Sequence, residues 1–114
     1  MSLGERIEGA MKPIVPVCVP KQYGGDALEY CTYNYTETPD LFGDDEPEAA
    51  VCLVQVHWLF PWTPGISETA EVLEKKKQLR RALAGVFETW PTLTHAGDSE
   101  WEHYVFEGQA LGEV

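Results

Sequence analysis

The segment Ala49–Phe60, AAVCLVQVHWLF, decides the fold. It is the longest apolar run of the chain, and only Gln55 and His57 interrupt it. Strand side chains alternate between the two faces of a sheet, so the even positions form a wholly apolar face and the odd positions a mixed one. A buried helix could carry the same apolar run, but three valines, a tryptophan and the prolines that close it favour a strand. The pattern predicts a central strand with a helix on its even face.

The covering helix is predicted to be the next element, Glu68–Phe87, with Ser67 as its N-cap. Apolar residues recur along this segment at helical spacing and form one stripe. The stripe faces the even positions of the central strand in the predicted packing. We therefore expect one core cluster between sheet and helix, made of Val54, Val56, Trp58, Leu79, Leu83 and Phe106.

The remaining segments supply a second helix and further strands. Ser2–Met11 is predicted to be a short helix, because Ser2 and Glu5 have capping-box spacing. Pro13–Lys21 has too many prolines for a central strand and is predicted to be an edge strand or strap. Three more strands are predicted, the last two as a hairpin: Leu28–Glu37, Trp90–His95 and Trp101–Leu111. The predicted fold is thus α+β, a single mixed or mainly antiparallel sheet of about five strands packed by one long helix and a short N-terminal helix. Residues 1–114 are expected to form a single domain.

The composition of the chain argues against several classes of function. The chain has 19 acidic and 8 basic residues, a formal net charge of -11, which argues against a general affinity for nucleic acid or anionic lipid. No run approaches the roughly 20 apolar residues of a membrane span, and the N-terminus lacks the apolar core of a signal peptide. The three cysteines are predicted to be reduced and buried.

The charges are unevenly distributed along the chain. Glu37–Glu48 holds six of the 19 acids together with two adjacent apolar residues, and its spacing does not match a calcium-binding EF-hand loop. The long helix holds five of the eight basic residues. A solvated helix face with local ion pairs is one interpretation, but Lys76 falls inside the apolar stripe and must extend along it or reach another chain. The alternative interpretation is a self-association interface, for which the candidate residues are Leu41, Phe42, Asp44, Asp45, Glu46, Lys75, Lys76, Lys77, Arg80 and Arg81.

Nothing in the sequence indicates catalysis. No Gly-rich phosphate loop is present, and the histidines His57, His95 and His103 are dispersed without zinc-ligand spacing. Cys52 and His57 would point to opposite faces of their strand, which argues against a nucleophile and its base. We therefore predict no enzymatic activity, no catalytic residues, no cofactor and no metal.

Most of the chain, from about Pro13 to Leu111, resembles a family of small phage and prophage tail proteins of the tail-terminator or tail-completion kind. The resemblance rests on a series of local strings. In chain order these are PIVPVCVP, QYGGDALEY, CTYNYTE, FGDDEPE, VCLVQVHWLFP, LRRALAGVFETWP and WEHYVFEG. Trp58, Trp90 and Trp101 and the very acidic balance have no counterpart in the family pattern.

The resemblance implies a structural protein rather than an enzyme. Such proteins form rings, here expected to be hexameric, at the head-proximal end of the tail, where they contact the tail tube and the head-completion proteins. The expected location is the bacterial host cytoplasm during assembly and then the virion tail, with no membrane and no sequence-specific nucleic acid as partner. Two other hypotheses remain open. One is a small non-catalytic ligand- or ion-binding regulatory domain that uses the acidic loop or a pocket lined by Tyr33, Trp58 and Tyr104. The other is a small enzyme of unrecognised type.

Overall fold

The computed structural model describes residues 2–39 and 49–113. Within these ranges the chain forms two α-helices, five strands and a short 3-10 turn at Ile66–Glu68. The predicted α+β fold is confirmed. In chain order the elements are α1 (Leu3–Met11), β1 (Cys18–Pro20), β2 (Tyr30–Pro39), β3 (Ala49–Pro61), α2 (Ala70–Ala84), β4 (Thr92–His95) and β5 (Trp101–Glu113).

The described strands form one sheet in the order β1-β2-β3-β5-β4. β1 runs parallel to β2, and every other neighbouring pair is antiparallel, so the sheet is mixed. β3 lies in the middle and pairs with β5 along its whole length. The prediction of a central strand at Ala49–Phe60 is therefore confirmed. The short, proline-bounded β1 forms one edge, as the segment Pro13–Lys21 predicted.

Both helices pack on the same face of the sheet as the even-numbered side chains of β3. From Cys52 to Phe60 these side chains are at most 5% exposed. They share one cluster with Leu3, Ile7 and Met11 of α1 and with the apolar stripe of α2. Every member of the predicted core is buried in this cluster: Val54, Val56, Trp58, Leu79, Leu83 and Phe106.

The capping box predicted for α1 is present. The backbone N–H of Glu5 donates to Ser2 Oγ, and the backbone N–H of Ser2 donates to Glu5 Oε1, both at 3.1 Å. The two bonds satisfy backbone donors that the first turn of a helix leaves free. The helix ends at Met11, two residues before Pro13, which cannot donate to a continuing helix.

The predicted start of α2 is wrong. Thr69, not Ser67, is the N-cap, and its Oγ1 accepts a hydrogen bond of 3.3 Å from the backbone N–H of Val72. The reason is Gly65, whose left-handed φ of 76° directs the chain into the 3-10 turn before the helix begins. At the other end α2 stops at Ala84, because the N–H of Gly85 bonds to the nearer carbonyl of Ala82 and tightens the last turn.

The other face of the sheet carries no helix among the described residues, and we call it the open face. The odd-numbered side chains of β3, from Val51 to Leu59, lie on it. Strand register adds these neighbours from β2 and β5: Tyr30, Thr32, Asn34, Thr36, Trp101, His103, Val105, Glu107, Gln109 and Leu111.

Candidate interaction surface

The basic residues predicted as an interface divide into two groups in the structure. Lys75, Lys76 and Arg80 lie partly buried against the rest of the chain. Lys77 and Arg81 are exposed on the outer face of α2. Helical spacing explains the division, because positions 77 and 81 lie one turn apart on the side opposite the buried stripe.

Lys75 is held by an ion pair with Glu29, a residue from the segment just before β2. Its Nζ lies 2.7 and 3.0 Å from the two carboxylate oxygens of Glu29. The indole Nε1–H of Trp58 also donates to this carboxylate, at 3.0 Å. Glu29 thus satisfies the one polar atom of a buried tryptophan and ties α2 to the sheet.

Lys76 extends along the apolar surface, one of the two outcomes expected for a lysine inside the stripe. Its Nζ lies 5.1 Å from the centre of the Tyr104 ring, a cation–π distance. Tyr104 is itself stacked between His95, at 4.6 Å, and Trp58, at 5.4 Å between ring centres. The charge of Lys76 is therefore accommodated within its own chain.

Arg80 binds the segment that leads into β4. Its Nε donates a hydrogen bond of 2.8 Å to the carbonyl oxygen of Pro91. Its guanidinium carbon lies 5.4 Å from the ring centre of Trp90, which is 58% exposed. Intramolecular contacts thus engage three of the five basic residues, which leaves Lys77 and Arg81 as the cations of α2 directed to solvent.

The acidic half of the predicted interface lies outside the described residues. This applies to Leu41 and Phe42 and to Asp44, Asp45 and Glu46. That the acidic loop meets α2 of a neighbouring copy stays a prediction from the sequence.

The open face presents apolar side chains to solvent. Val51 is directly opposite Leu111 in the β3–β5 ladder, and Leu53 is the next residue of β3 on the same face. Leu53 is 52% exposed and Leu111 is 42% exposed. Neighbouring same-face positions on paired strands lie close enough for their side chains to touch. We call these three residues the aliphatic patch.

The open face also brings together two histidines that seemed dispersed in the sequence. His57 Nδ1 lies 2.8 Å from His103 Nε2, and Asn34 Nδ2 lies 3.5 Å from His57 Nε2. Burial lowers the pKa of both imidazoles, and the proximity of His103 lowers the pKa of His57 further. Both rings are therefore neutral at pH 7, and an Nδ1–H tautomer of His57 satisfies both contacts. The signal in the sequence was the odd-numbered position that each histidine occupies in its strand.

Two depressions run along the open face and share Asn34 at their junction. One, of about 620 Å³, is lined by Leu53, Gln55 and Glu107 with Trp90 at its side. The other, of about 510 Å³, contains the histidine pair and the ring of Tyr30. Trp101 packs edge-to-face against Tyr30 at 6.0 Å. The open face is therefore concave, with aromatic rings at both ends.

The pocket proposed from Tyr33, Trp58 and Tyr104 does not form as one site. All three side chains are at most 4% exposed and belong to the core cluster. Trp58 borders a cavity of about 350 Å³ beside the start of α2. Tyr33 borders a different cavity next to α1. All three residues face the helices, where other core side chains fill the space between them. The sequence pattern alone did not show that this packing leaves no common pocket.

Among the described residues, one acidic side chain is buried. Glu102 is 2% exposed, and its Oε1 bonds to Nε2 of His95 across the β4–β5 hairpin. Among the residues that the structure describes, no group of three or more His, Cys, Asp or Glu side chains is arranged to hold a metal ion. None of the helices in the same ranges has the length and apolarity of a membrane span.

Comparison of the chain with models of known protein families and with curated protein sequences found no match.

Proposed function

We propose that the chain is a structural tail component of a phage or prophage, of the tail-terminator or tail-completion kind. The observation that carries the proposal is the open face. Within the described residues the sheet has helices on one side only, which leaves Leu53 and Leu111 about half exposed on a chain with a net charge of -11. Exposed aliphatic residues surrounded by polar ones are typical of a surface that another protein covers.

The charge distribution favours self-association between unlike surfaces. Lys77 and Arg81 are exposed on α2, whereas the chain as a whole is strongly acidic. A contact between two different patches is heterologous, and repetition gives a ring when the rotation closes. This is the assembly that the resemblance to tail proteins implies, with six copies expected in the ring.

The acidic loop supplies the second component of the proposed interface. Its acids Asp44, Asp45 and Glu46 complement the basic residues of α2 in charge. Leu41 and Phe42 provide an apolar anchor among these charges, as an interface core requires within a polar rim. Opposite charges would set orientation and encounter rate, and the apolar anchor would supply most of the affinity.

In this proposal the ring forms at the head-proximal end of the tail, in the bacterial host cytoplasm, and becomes part of the virion tail. There it stops polymerisation of the tail tube and presents a surface to the head-completion proteins. The direct test uses tail tubes polymerised from the tube protein of the same phage. Added protein is expected to halt elongation and to appear at one tube end in negative-stain images.

Two matched variants test whether the open face takes part in capping. Leu53→Asp places a charge in the aliphatic patch and is expected to abolish capping, because an unpaired carboxylate would be buried. Leu28→Asp is the control, since Leu28 is 69% exposed and precedes Tyr30, which pairs with Leu59 at the other end of β3 from the aliphatic patch. The proposal would be contradicted if tubes elongated unchanged in the presence of the wild-type protein, or if the protein bound along the sides of the tubes.

The cavity beside the start of α2 supports a second candidate, a small non-catalytic ligand-binding regulatory domain. Trp58, Phe60 and Val72 give it an apolar floor, and Glu29 and Lys75 supply polar groups at its edge. Small-molecule sites commonly combine these features. A thermal-shift screen of small amines and carboxylates distinguishes the candidates. A concentration-dependent rise in melting temperature that Val72→Trp removes would favour ligand binding.

A further inference from the structure

The open face is nearly neutral although the chain is strongly acidic. Among its described side chains, Glu107 is the one carboxylate, and the histidine pair is neutral at pH 7. Two copies of a protein with a charge of -11 repel each other at most of their surface. The open face is therefore a surface that another copy can approach with little repulsion.

The outer face of α2 has the complementary features. Ala70, Leu73, Lys77 and Arg81 follow each other at spacings of three and four residues, so they lie on one side of the helix. Leu73 is 43% exposed. Lys77 and Arg81 make no ion pair with any other described residue. This surface thus offers one aliphatic anchor followed by two cations without an ion pair among the described residues, beside the exposed Glu74.

The distance between the aliphatic residue and the charged residue is similar on the two surfaces. Leu73 and Arg81 are eight residues apart, which is about 12 Å along a helix. Leu111 and Glu107 are four residues apart on β5, which is about 13 Å along a strand. A helix laid along the open face with Leu73 on the aliphatic patch therefore brings Arg81 to Glu107.

We propose that the open face of each copy is covered by α2 of the next copy, with Leu73 on the aliphatic patch and Arg81 paired with Glu107. This inference rests on the proposed ring, and within it assigns the outer face of α2 to the open face of the neighbour in place of the acidic loop. α2 covers one side of its own sheet and the open face is the other side, so every copy has one donor and one acceptor surface. The contact is heterologous and propagates from copy to copy.

Disulfide trapping tests the geometry. A double variant, Leu73→Cys with Leu111→Cys, is expected to give a ladder of covalent multimers beyond the dimer under mild oxidation at high protein concentration. Each single variant can give dimers at most, so the two single variants are the controls. A double variant that yields only monomers or dimers would overturn the proposal, and dimers of Leu111→Cys alone would then indicate that two open faces meet each other instead.

Charge exchange tests the register independently. Arg81→Glu is expected to weaken association about 3–10-fold, because it replaces an attraction with a like-charge contact. The double variant Arg81→Glu with Glu107→Arg is expected to return affinity to within about twofold of wild type. Lys12→Glu changes the net charge equally at the C-cap of α1 and is expected to have little effect. A double variant that is no better than Arg81→Glu alone would overturn the register.

Different experimental results would reject the proposed contact and the proposed function. Rings that form and cap tubes, without the ladder or the charge rescue, would reject this contact and leave the proposed function standing. A protein that neither caps tubes nor multimerises at high concentration would reject both.

Discussion

Replacing Leu83 by alanine tests how α2 is attached to the sheet. Leu83 has no exposed surface and belongs to the cluster that joins α2 to β3 and β5. Burying a leucine fully contributes about 2 kcal/mol by transfer alone, and the cavity left by truncation adds to the loss. We expect Leu83→Ala to lower the free energy of unfolding by about 3 kcal/mol.

This loss converts to a measurable change in melting temperature. Unfolding entropy is about 2.1 cal/mol/K per residue, or about 240 cal/mol/K for 114 residues. A loss of about 3 kcal/mol therefore lowers the midpoint by about 12 °C. Urea unfolding and a thermal scan followed by circular dichroism should agree, at a protein concentration low enough to keep the chain monomeric.

Leu73→Ala is the matched control on the same helix. Leu73 is 43% exposed on the outer face, so its truncation leaves no cavity in the core. We expect a change within about 0.5 kcal/mol. Equal effects of the two substitutions would refute the assignment of the buried face of α2.

Three further predictions concern packing, thiols and pH. Gly108→Ala should destabilise the protein in urea unfolding, because a Cβ there would overlap the ring of Phe87. Gly9→Ala should be neutral or stabilising, since a Cβ there meets nothing within 4 Å. The reverse order would contradict this packing. The three cysteines are free and buried, so they should react with a thiol reagent only after denaturation, and rapid labelling of the native protein would reject their burial. His57 and His103 have lowered pKa values in the folded state, so the unfolded state binds more protons below about pH 6.5 and stability should fall as the pH drops from about 7 to 5. Replacing both histidines by glutamine should flatten this dependence, and an unchanged pH profile of urea midpoints would show that the pair does not cause it.

The central strand and the core were predictable because they depend on local patterns. The alternation in Ala49–Phe60 determines which side chains face the helices, whatever their partners are. The capping box of α1 is equally local, since Ser2 and Glu5 satisfy each other's backbone. Such features follow from spacing along the chain alone.

The start of α2 and the contacts of its basic residues could be determined only from the tertiary structure. Ser67 and Thr69 are both good N-caps, and the turn at Gly65 decides between them. The sequence does not show that Glu29, 46 residues before Lys75, neutralises it. Nor does it show that Tyr104 accommodates Lys76. The spacing of Lys77 and Arg81 on the helix, by contrast, already indicated that these two face solvent.

The candidate site was predictable in part. The odd positions of β3 indicated a half-covered face, and no helix of residues 2–39 or 49–113 covers it. The pairing of Val51 with Leu111, and the meeting of His57 and His103, depend on strand register. Register between segments some 50 residues apart is set by the whole sheet, and no local pattern encodes it.

The central claim is that this chain assembles with itself through unlike surfaces. Light scattering coupled to size exclusion, over a concentration series and followed by negative-stain imaging, measures this most directly. We expect a mass that rises from 12.8 kDa towards a whole-number multiple of that value, with ring-shaped particles in the images. A mass of 12.8 kDa at every concentration, both alone and in the presence of tail tubes, would contradict the account.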